Sequence, residues 1–375
     1  MEKKFKRIPV FDIKVGELEK KYVKDCLDTA WLGQGSYVKN FEEKFSKFVD
    51  CKYGVTTTGG TTALHLACAS IGLKDGDEVL VSTLTNMACA FSIDYCNAIP
   101  VPIDVDKDTW QLDPKLLEQK VTKKTKAIMV VHLFGHPVDM DSVIKIAKKH
   151  SLKIIEDCAE AHGVEYKNKK VGSIGDVAAF SFFSNKTITC GEGGMLTTNS
   201  KDIAEKAKSL KNLAYGKVHK FIHDDIGFNY RLPNISAAIG LAQLESIDKV
   251  FQEKERIYNR YKNNLKGTKG IVIPKVENWA KYIMWVFNLS VDKNYPLSRD
   301  DLVIKLKEKN IETRNAFVPI SYQDFLIKKY NLFDKNECPN ANIIMDNGFY
   351  LPSGNIIPND DIDFICQEII KLGKK

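Results

Sequence analysis

The sequence predicts an α/β fold with a second, smaller C-terminal domain, and three observations carry this. From residue 51 to 212, short apolar runs that read as strands follow one another with helical patterns between them. One run, Lys153-Ile-Ile-Glu-Asp157, brings an acid to the carboxyl end of a strand, where open α/β sheets bind ligands. Another, Ala178-Ala-Phe-Ser-Phe-Phe183, delivers Lys186 into a loop closed by the glycine-rich turn Gly191-Glu-Gly-Gly194. At 375 residues the chain can bury a large core and form two domains, read as 1–249 and 250–375.

Taken in order, residues 1–14 form an arm. Helical patterns at 17–27 and 39–48 flank Trp31-Leu-Gly-Gln-Gly-Ser36, a turn that is either a plain helix connection or the border of a pocket. Residues 51–57 are a strand, and Gly59-Gly-Thr-Thr-Ala63 opens a helix over 61–71. First-turn N–H groups are unpaired and lie at the positive end of the helix dipole. Gly60, Thr61 and Thr62 can therefore hold a phosphate, although small residues there also serve as ordinary caps. Strands at 78–82, 99–103, 126–132 and 153–157 follow, with helices at 87–97 and 140–150. Next come strands at 178–183 and 195–198 and helices at 203–212 and 235–247. Before the last of these, His223-Asp-Asp-Ile-Gly-Phe-Asn-Tyr-Arg-Leu-Pro-Asn234 is rich in polar side chains and reads as a binding loop. A basic helix at 250–265 leads to strands at 284–291 and near 311–314, with helices at 299–309, 338–347 and 360–371. The sequence carries no internal repeat or low-complexity segment.

A lysine between two buried strands is partly desolvated, which disfavours an ammonium relative to the free amine that attacks a carbonyl. Most lysines of this lysine-rich chain are simply solvated. Lys186 stands out by its company: a phosphate turn, an acid at a strand end and a lysine after another strand suit pyridoxal phosphate. Asp157 would pair with the protonated pyridine nitrogen and keep the ring an electron sink. Glu160 would approach the cofactor's 3-oxygen, or else is a solvated acid in a first helical turn.

The stretches Glu156-Asp-Cys-Ala-Glu-Ala-His-Gly163, Gly172-Ser-Ile-Gly-Asp176, Ser181-Phe-Phe-Ser-Asn-Lys186 and Gly227-Phe-Asn-Tyr-Arg231 resemble the DegT/DnrJ/EryC1/StrS family of sugar aminotransferases. Within it they are most similar to the perosamine-synthase branch, from about residue 15 onward. The resemblance implies fold type I of the pyridoxal-phosphate enzymes, aspartate-aminotransferase-like, with a mostly parallel central sheet and a C-terminal α+β domain. It implies that Lys186 holds the cofactor as a Schiff base. Freed Lys186 then moves a proton between the donor's Cα and the cofactor's C4′. L-glutamate would give the amino group, and the keto group of a nucleotide-linked 4-keto-6-deoxysugar, destined for surface polysaccharide, would receive it.

By the same resemblance the cofactor is bound by Gly60, Thr61, Thr62, Asn86, Asp157, Glu160, Ser181, Lys186 and Asn229. Asn229 would reach the cofactor phosphate of a neighbouring subunit, which makes a homodimer part of the site. Trp31, His132, Arg231 and Arg314 would face substrate. Family members usually stack an aromatic ring on the pyridine where this chain has Asn86, leaving His132 or Leu84 for that contact. Asn315-Ala316, after Glu312-Thr-Arg314, and the loop 217–223 depart from the perosamine-type wording, which keeps a smaller phosphorylated ketone open as acceptor. A sugar dehydratase of the same fold usually has histidine in place of Lys186, and a non-catalytic relative would not need Asp157, Lys186 and Asn229 together.

Bulk properties remove other classes. The net charge is +7, but the lysines are dispersed and form no stripe for nucleic acid. No apolar run approaches the roughly 18 residues of a membrane span, and the first residues lack a signal peptide's apolar centre. Nine cysteines, an odd number without a Cys-x-x-Cys pair, speak against zinc and a disulfide framework and for a reducing cytoplasm. Gly191-Glu-Gly-Gly194 lacks the spacing of a dinucleotide fingerprint.

Overall fold

The computed structural model describes residues 6–216, 218–331 and 333–374; residues 1–5 of the arm and Lys217, the first residue of the 217–223 loop, lie outside them. From the N-terminus, α1 (Glu17–Asp28) and α2 (Ser36–Phe48) precede β1 (Tyr53–Thr57), α3 (Gly60–Ser70), β2 (Glu78–Ser82), α4 (Ala88–Asp94) and β3 (Ile99–Ile103). A single turn, α5 (Leu117–Lys120), leads to β4 (Thr125–Val131), α6 (Met140–His150) and β5 (Lys153–Asp157). The hairpin β6 (Glu165–Tyr166) and β7 (Lys169–Lys170) is followed by β8 (Val177–Ser181), β9 (Gly194–Thr198), α7 (Lys201–Leu210), α8 (Asn234–Glu245) and α9 (Ile247–Leu265). The remainder holds β10 (Ile271–Val272), β11 (Ala280–Lys281), β12 (Phe287–Val291), α10 (Arg299–Glu308), β13 (Arg314–Asn315), α11 (Asp324–Tyr330), α12 (Pro339–Asn347), β14 (Gly348–Leu351) and α13 (Asn359–Leu372).

The large sheet runs β1-β9-β8-β5-β4-β2-β3. The pairs β8–β5, β5–β4, β4–β2 and β2–β3 are parallel, and β9 runs against both its neighbours. Helices cover both faces, so successive residues of one strand enter different cores. Ala127, Met129 and Val131 of β4 join Leu64 and Ala67 of α3. Ile128 and Val130 join Met140 and Val143 of α6. In β8, Val177 and Ala179 pack on the α3 side, whereas Ala178 and Phe180 meet Phe41 and Phe45 of α2 and Leu241 of α8.

The second sheet, β10-β12-β14-β13, is antiparallel throughout. Its core joins Ile257 and Tyr261 of α9, Phe287 and Leu289 of β12, Phe349 and Leu351 of β14, and Ile362, Ile365 and Ile369 of α13. Strand β14 lies between β12 and β13 yet has no counterpart in the sequence reading, because four residues directly after a helix leave no room for a period-two pattern. The arm crosses to this unit: Ile8 N–H donates to Asn310 O at 2.9 Å, and Ser353 N–H donates to Val10 O at 2.9 Å. Among the described residues no helix is long and apolar enough to cross a membrane.

Candidate active site

A cavity of about 410 Å³ lies at the carboxyl ends of the parallel strands, against the start of α3. Strand parity decides what enters it. Val131, Asp157 and Ser181 end β4, β5 and β8, and all three line the cavity. Val131 pairs with Asp157 across the two parallel strands. Ser181 lies an even number of residues beyond Ala179, the register partner of Asp157. The opposite parity points to the other face. There His132 Nε2 lies 3.0 Å from Glu156 Oε2, both side chains fully buried. Glu156 also accepts from the N–H groups of Gly172 and Ile174, each at 2.9 Å, and Gly175 at 2.6 Å. His132 Nδ1 accepts from Val138 N–H at 3.1 Å. His132, Glu156 and Cys158 bring ligand atoms within 4.8 Å of one another, but the first two already spend their polar atoms on this network.

His132 does not line the cavity, whereas the sequence expectation has it stack on the ring or face substrate: both ring nitrogens are engaged and it has no exposed surface. Leu84 is likewise fully buried in the core beside α3. Asn86 does line the cavity. Its Oδ1 accepts from Ala88 N–H at 3.0 Å, so it caps the approach to α4.

At the start of α3, Gly59, Gly60, Thr61 and Thr62 line the cavity with the helix's unpaired first-turn N–H groups. A β-carbon at Gly60 would stand 2.7 Å from Ser181 Cβ, so only glycine lets the two backbones approach this closely. Thr62 Oγ1 bonds within its own turn, donating to Gly59 O at 2.8 Å and accepting from Gly59 N–H at 3.0 Å. Of the two threonines it is Thr61 whose hydroxyl is left for a ligand.

Asp157 is 4 % exposed. Its Oδ1 accepts from Ala159 N–H at 2.9 Å and its Oδ2 from the Cys89 thiol at 3.0 Å. Burial keeps that thiol protonated, pushing it well above its ordinary range, so it remains a donor. Lys186 Nζ lies 3.5 Å from Glu160 Oε1, with both side chains nearly buried. Glu160 Oε2 accepts from Phe134 N–H at 2.9 Å. Burial raises the Glu160 carboxyl above its usual range, while Lys186 and the Phe134 N–H pull the other way. Asn185 Oδ1 is buried at the cavity wall and has no partner among the described residues. An anion cradle, a fixed carboxylate and an enclosed amine form the donor set that pyridoxal phosphate requires, and the residues present fit it.

The cavity's other wall went unrecognised in the sequence. Trp285, Phe317 and Tyr350 line it from the second half of the chain. The Trp285 ring centre lies 3.9 Å from Lys186 Nζ, and its Nε1–H donates to Asn185 O at 2.8 Å. Gly135, at φ +90°, lets this wall come close, since a β-carbon there would stand 1.9 Å from Ile283 O. Phe183 and Glu192 also line the cavity.

Besides His132, four expected residues do not line this cavity. Arg314 sits in β13 opposite Tyr350, at the rim, and its Nη1 donates to Thr313 O at 3.0 Å. Asn229 is exposed and bridges Asn212. Arg231 donates to Asn212 Oδ1 at 2.9 Å. Trp31 is 62 % exposed in the α1–α2 turn.

The family model for the DegT/DnrJ/EryC1/StrS aminotransferases matches residues 14–370. The chain is 41 % identical over 365 residues to the GDP-perosamine synthase of Escherichia coli O157:H7, covering 97 % of this chain and 98 % of that one. It is 38 % identical over 362 residues to the GDP-perosamine synthase of Vibrio cholerae, covering 96 % and 97 %. Among solved structures, S. venezuelae DesV in complex with a ketimine intermediate superposes with a TM-score of 0.92 at 29 % identity, over 98 % of this chain and 99 % of that one.

Proposed function

Since this chain belongs to the DegT/DnrJ/EryC1/StrS family and is a pyridoxal-phosphate-dependent aminotransferase, we propose that it moves an amino group from L-glutamate to the C4 keto group of a nucleotide-linked 4-keto-6-deoxyhexose. The observation that carries the reading is the full-length likeness to GDP-perosamine synthases, over a cavity that holds Lys186 and Asp157 together. The alternatives, a small phosphorylated ketone as acceptor or a sugar dehydration, have no such support, and a dehydratase has no use for an enclosed lysine amine.

Pyridoxal phosphate, when bound, supplies a sink for the electrons of the donor's Cα–H bond. Asp157 would hold a proton at the pyridine nitrogen, and its bonds to Ala159 and Cys89 keep the carboxylate fixed. The Gly60–Thr61 end of α3 takes the phosphate. Lys186 would hold the cofactor, and its freed amine would carry the proton from the donor's Cα to the cofactor's C4′. Glu160 lies beside the Lys186 amine and offers it a partner between those roles. Residues 1–249 hold the cofactor in this reading, and residues 250–375 close over it.

The enzyme works as a homodimer with sites at the interface. Support comes from Asn229, Arg231 and Trp31, which do not line the Lys186 cavity of their own chain, and from the exposed Val218, Phe221, Ile222 and Ile226 in the segment before Asn229. Nine free cysteines suit a reducing cytosol.

The test is a panel of GDP-, UDP- and dTDP-linked 4-keto-6-deoxysugars, 3-keto isomers and small phosphoketones with L-glutamate, following 2-oxoglutarate. A nucleotide sugar is expected to give the highest kcat/KM. A phosphoketone preferred by about a hundredfold, roughly 2.7 kcal/mol in transition-state binding, would reject the sugar acceptor. A light-scattering mass near one 42.3 kDa chain would reject the dimer.

A further inference from the structure

A buried lysine amine joins the two halves of the chain. Lys254, on α9, is 3 % exposed. Its Nζ donates to Trp285 O at 2.8 Å and to Ser353 O at 2.7 Å. Among the described residues no carboxylate makes an ion pair with it. Burial pushes it down to about 7. Desolvating a lysine without an acid is unfavourable, and a methionine would fill similar space without that cost. Holding two carbonyls is what the lysine adds.

What those carbonyls carry explains the arrangement. Ser353 follows β14, and its Oγ accepts from Phe287 N–H at 2.9 Å, so it is fixed to β12. Trp285 stands just before β12, with its side chain reaching the other way. Its indole Nε1–H donates to Asn185 O, next to Lys186, and its ring lies against the Lys186 amine. Trp285 N–H donates to Phe134 O at 3.3 Å, and the two rings are stacked at 9°. Phe134 in turn holds Glu160, the other neighbour of the Lys186 amine. The contacts close a loop, Trp285, Phe134, Glu160, Lys186 and back to Trp285, and Lys254 holds it at the Trp285 carbonyl.

We propose that Lys254 is a positioning residue of the active site, which fixes the Trp285 carbonyl against the Ser353 carbonyl and so sets where the indole stands over the Lys186 amine. It touches neither cofactor nor substrate. An ammonium and a neutral amine both have two N–H groups to give, so the clamp holds in either protonation state.

The test is a double-mutant cycle read on the affinity of the apoprotein for pyridoxal phosphate, followed by absorbance, with K254M, W285L and the double variant. K254M is expected to weaken binding by about tenfold in the wild-type background and by less than about twofold on top of W285L, since residues acting as a unit are not additive. Melting temperatures separate this from general destabilisation, which would lower both backgrounds alike. If K254M does not fold, K254R enters the same cycle, keeping the donors while enlarging the head group. A Lys254 effect of equal size in both backgrounds, or none in either, overturns the proposal.

Discussion

The floor and the roof of the Lys186 cavity are built by different rules. The floor is the carboxyl end of one sheet: Val131, Asp157 and Ser181 arrive by strand parity, and α3 contributes its N-terminus. The roof is assembled from Trp285, Phe317 and Tyr350, brought in over long sequence distances and held by Gly135 and Lys254. The floor offers charge and fixed donors; the roof offers aromatic surface and a single clamp. Chemistry therefore belongs to the floor, and the fit of what lies above it to the roof.

The largest effect should come from the floor. Lys186→Ala is expected to leave no measurable turnover, and borohydride reduction of the wild-type holoenzyme should fix the cofactor on Lys186; label found on another lysine in the peptide map breaks the assignment. Asp157→Asn keeps size but loses the anion, and turnover should fall by at least about a hundredfold, since about 1.4 kcal/mol in a barrier is tenfold. Its neighbour sharpens the contrast. Glu156→Gln lies on the opposite face, so denaturant unfolding should show a loss of roughly 2–3 kcal/mol while folded protein keeps near-normal kcat; a rate loss like that of Asp157→Asn would dissolve the distinction between the two faces. The last effect, which appears only as a pH dependence, concerns the roof clamp. Lys254 sits near 7 in the folded chain against an ordinary 10.5. Between those values the unfolded chain keeps a proton that the folded chain has released, so this group makes stability rise with pH. The unfolding free energy of wild type minus that of K254M should increase by roughly 2–3 kcal/mol from pH 7 to pH 9, at about 1.4 kcal/mol per pKa unit; a flat difference would contradict the depressed value.

The two regions also differ in how far the sequence reveals them. Asp157, Ser181 and Lys186 lie in or beside strands whose apolar runs are visible, and α3 starts at a recognisable small-residue turn. His132 was misplaced although the parity needed to place it was present: it follows Val131, and one step along a strand changes face. Trp285 had no comparable signal. It lies 99 residues beyond Lys186, and contacts made only in the fold, at the Phe134–Gly135 turn and at Asn185, bring the two together. Asn86 could be read as a missing aromatic, but its capping bond to Ala88 is a matter of local geometry.

The arm has a consequence in time. Ile8, Val10 and Asp12 take their backbone partners from residues 310–312 and 353–355. During synthesis, residues that leave the ribosome early must wait for partners made more than three hundred residues later, while the large sheet can already form from residues 53–198. Docking of the arm is therefore among the last events of folding, and a nascent chain halted before residue 310 would carry it unpaired.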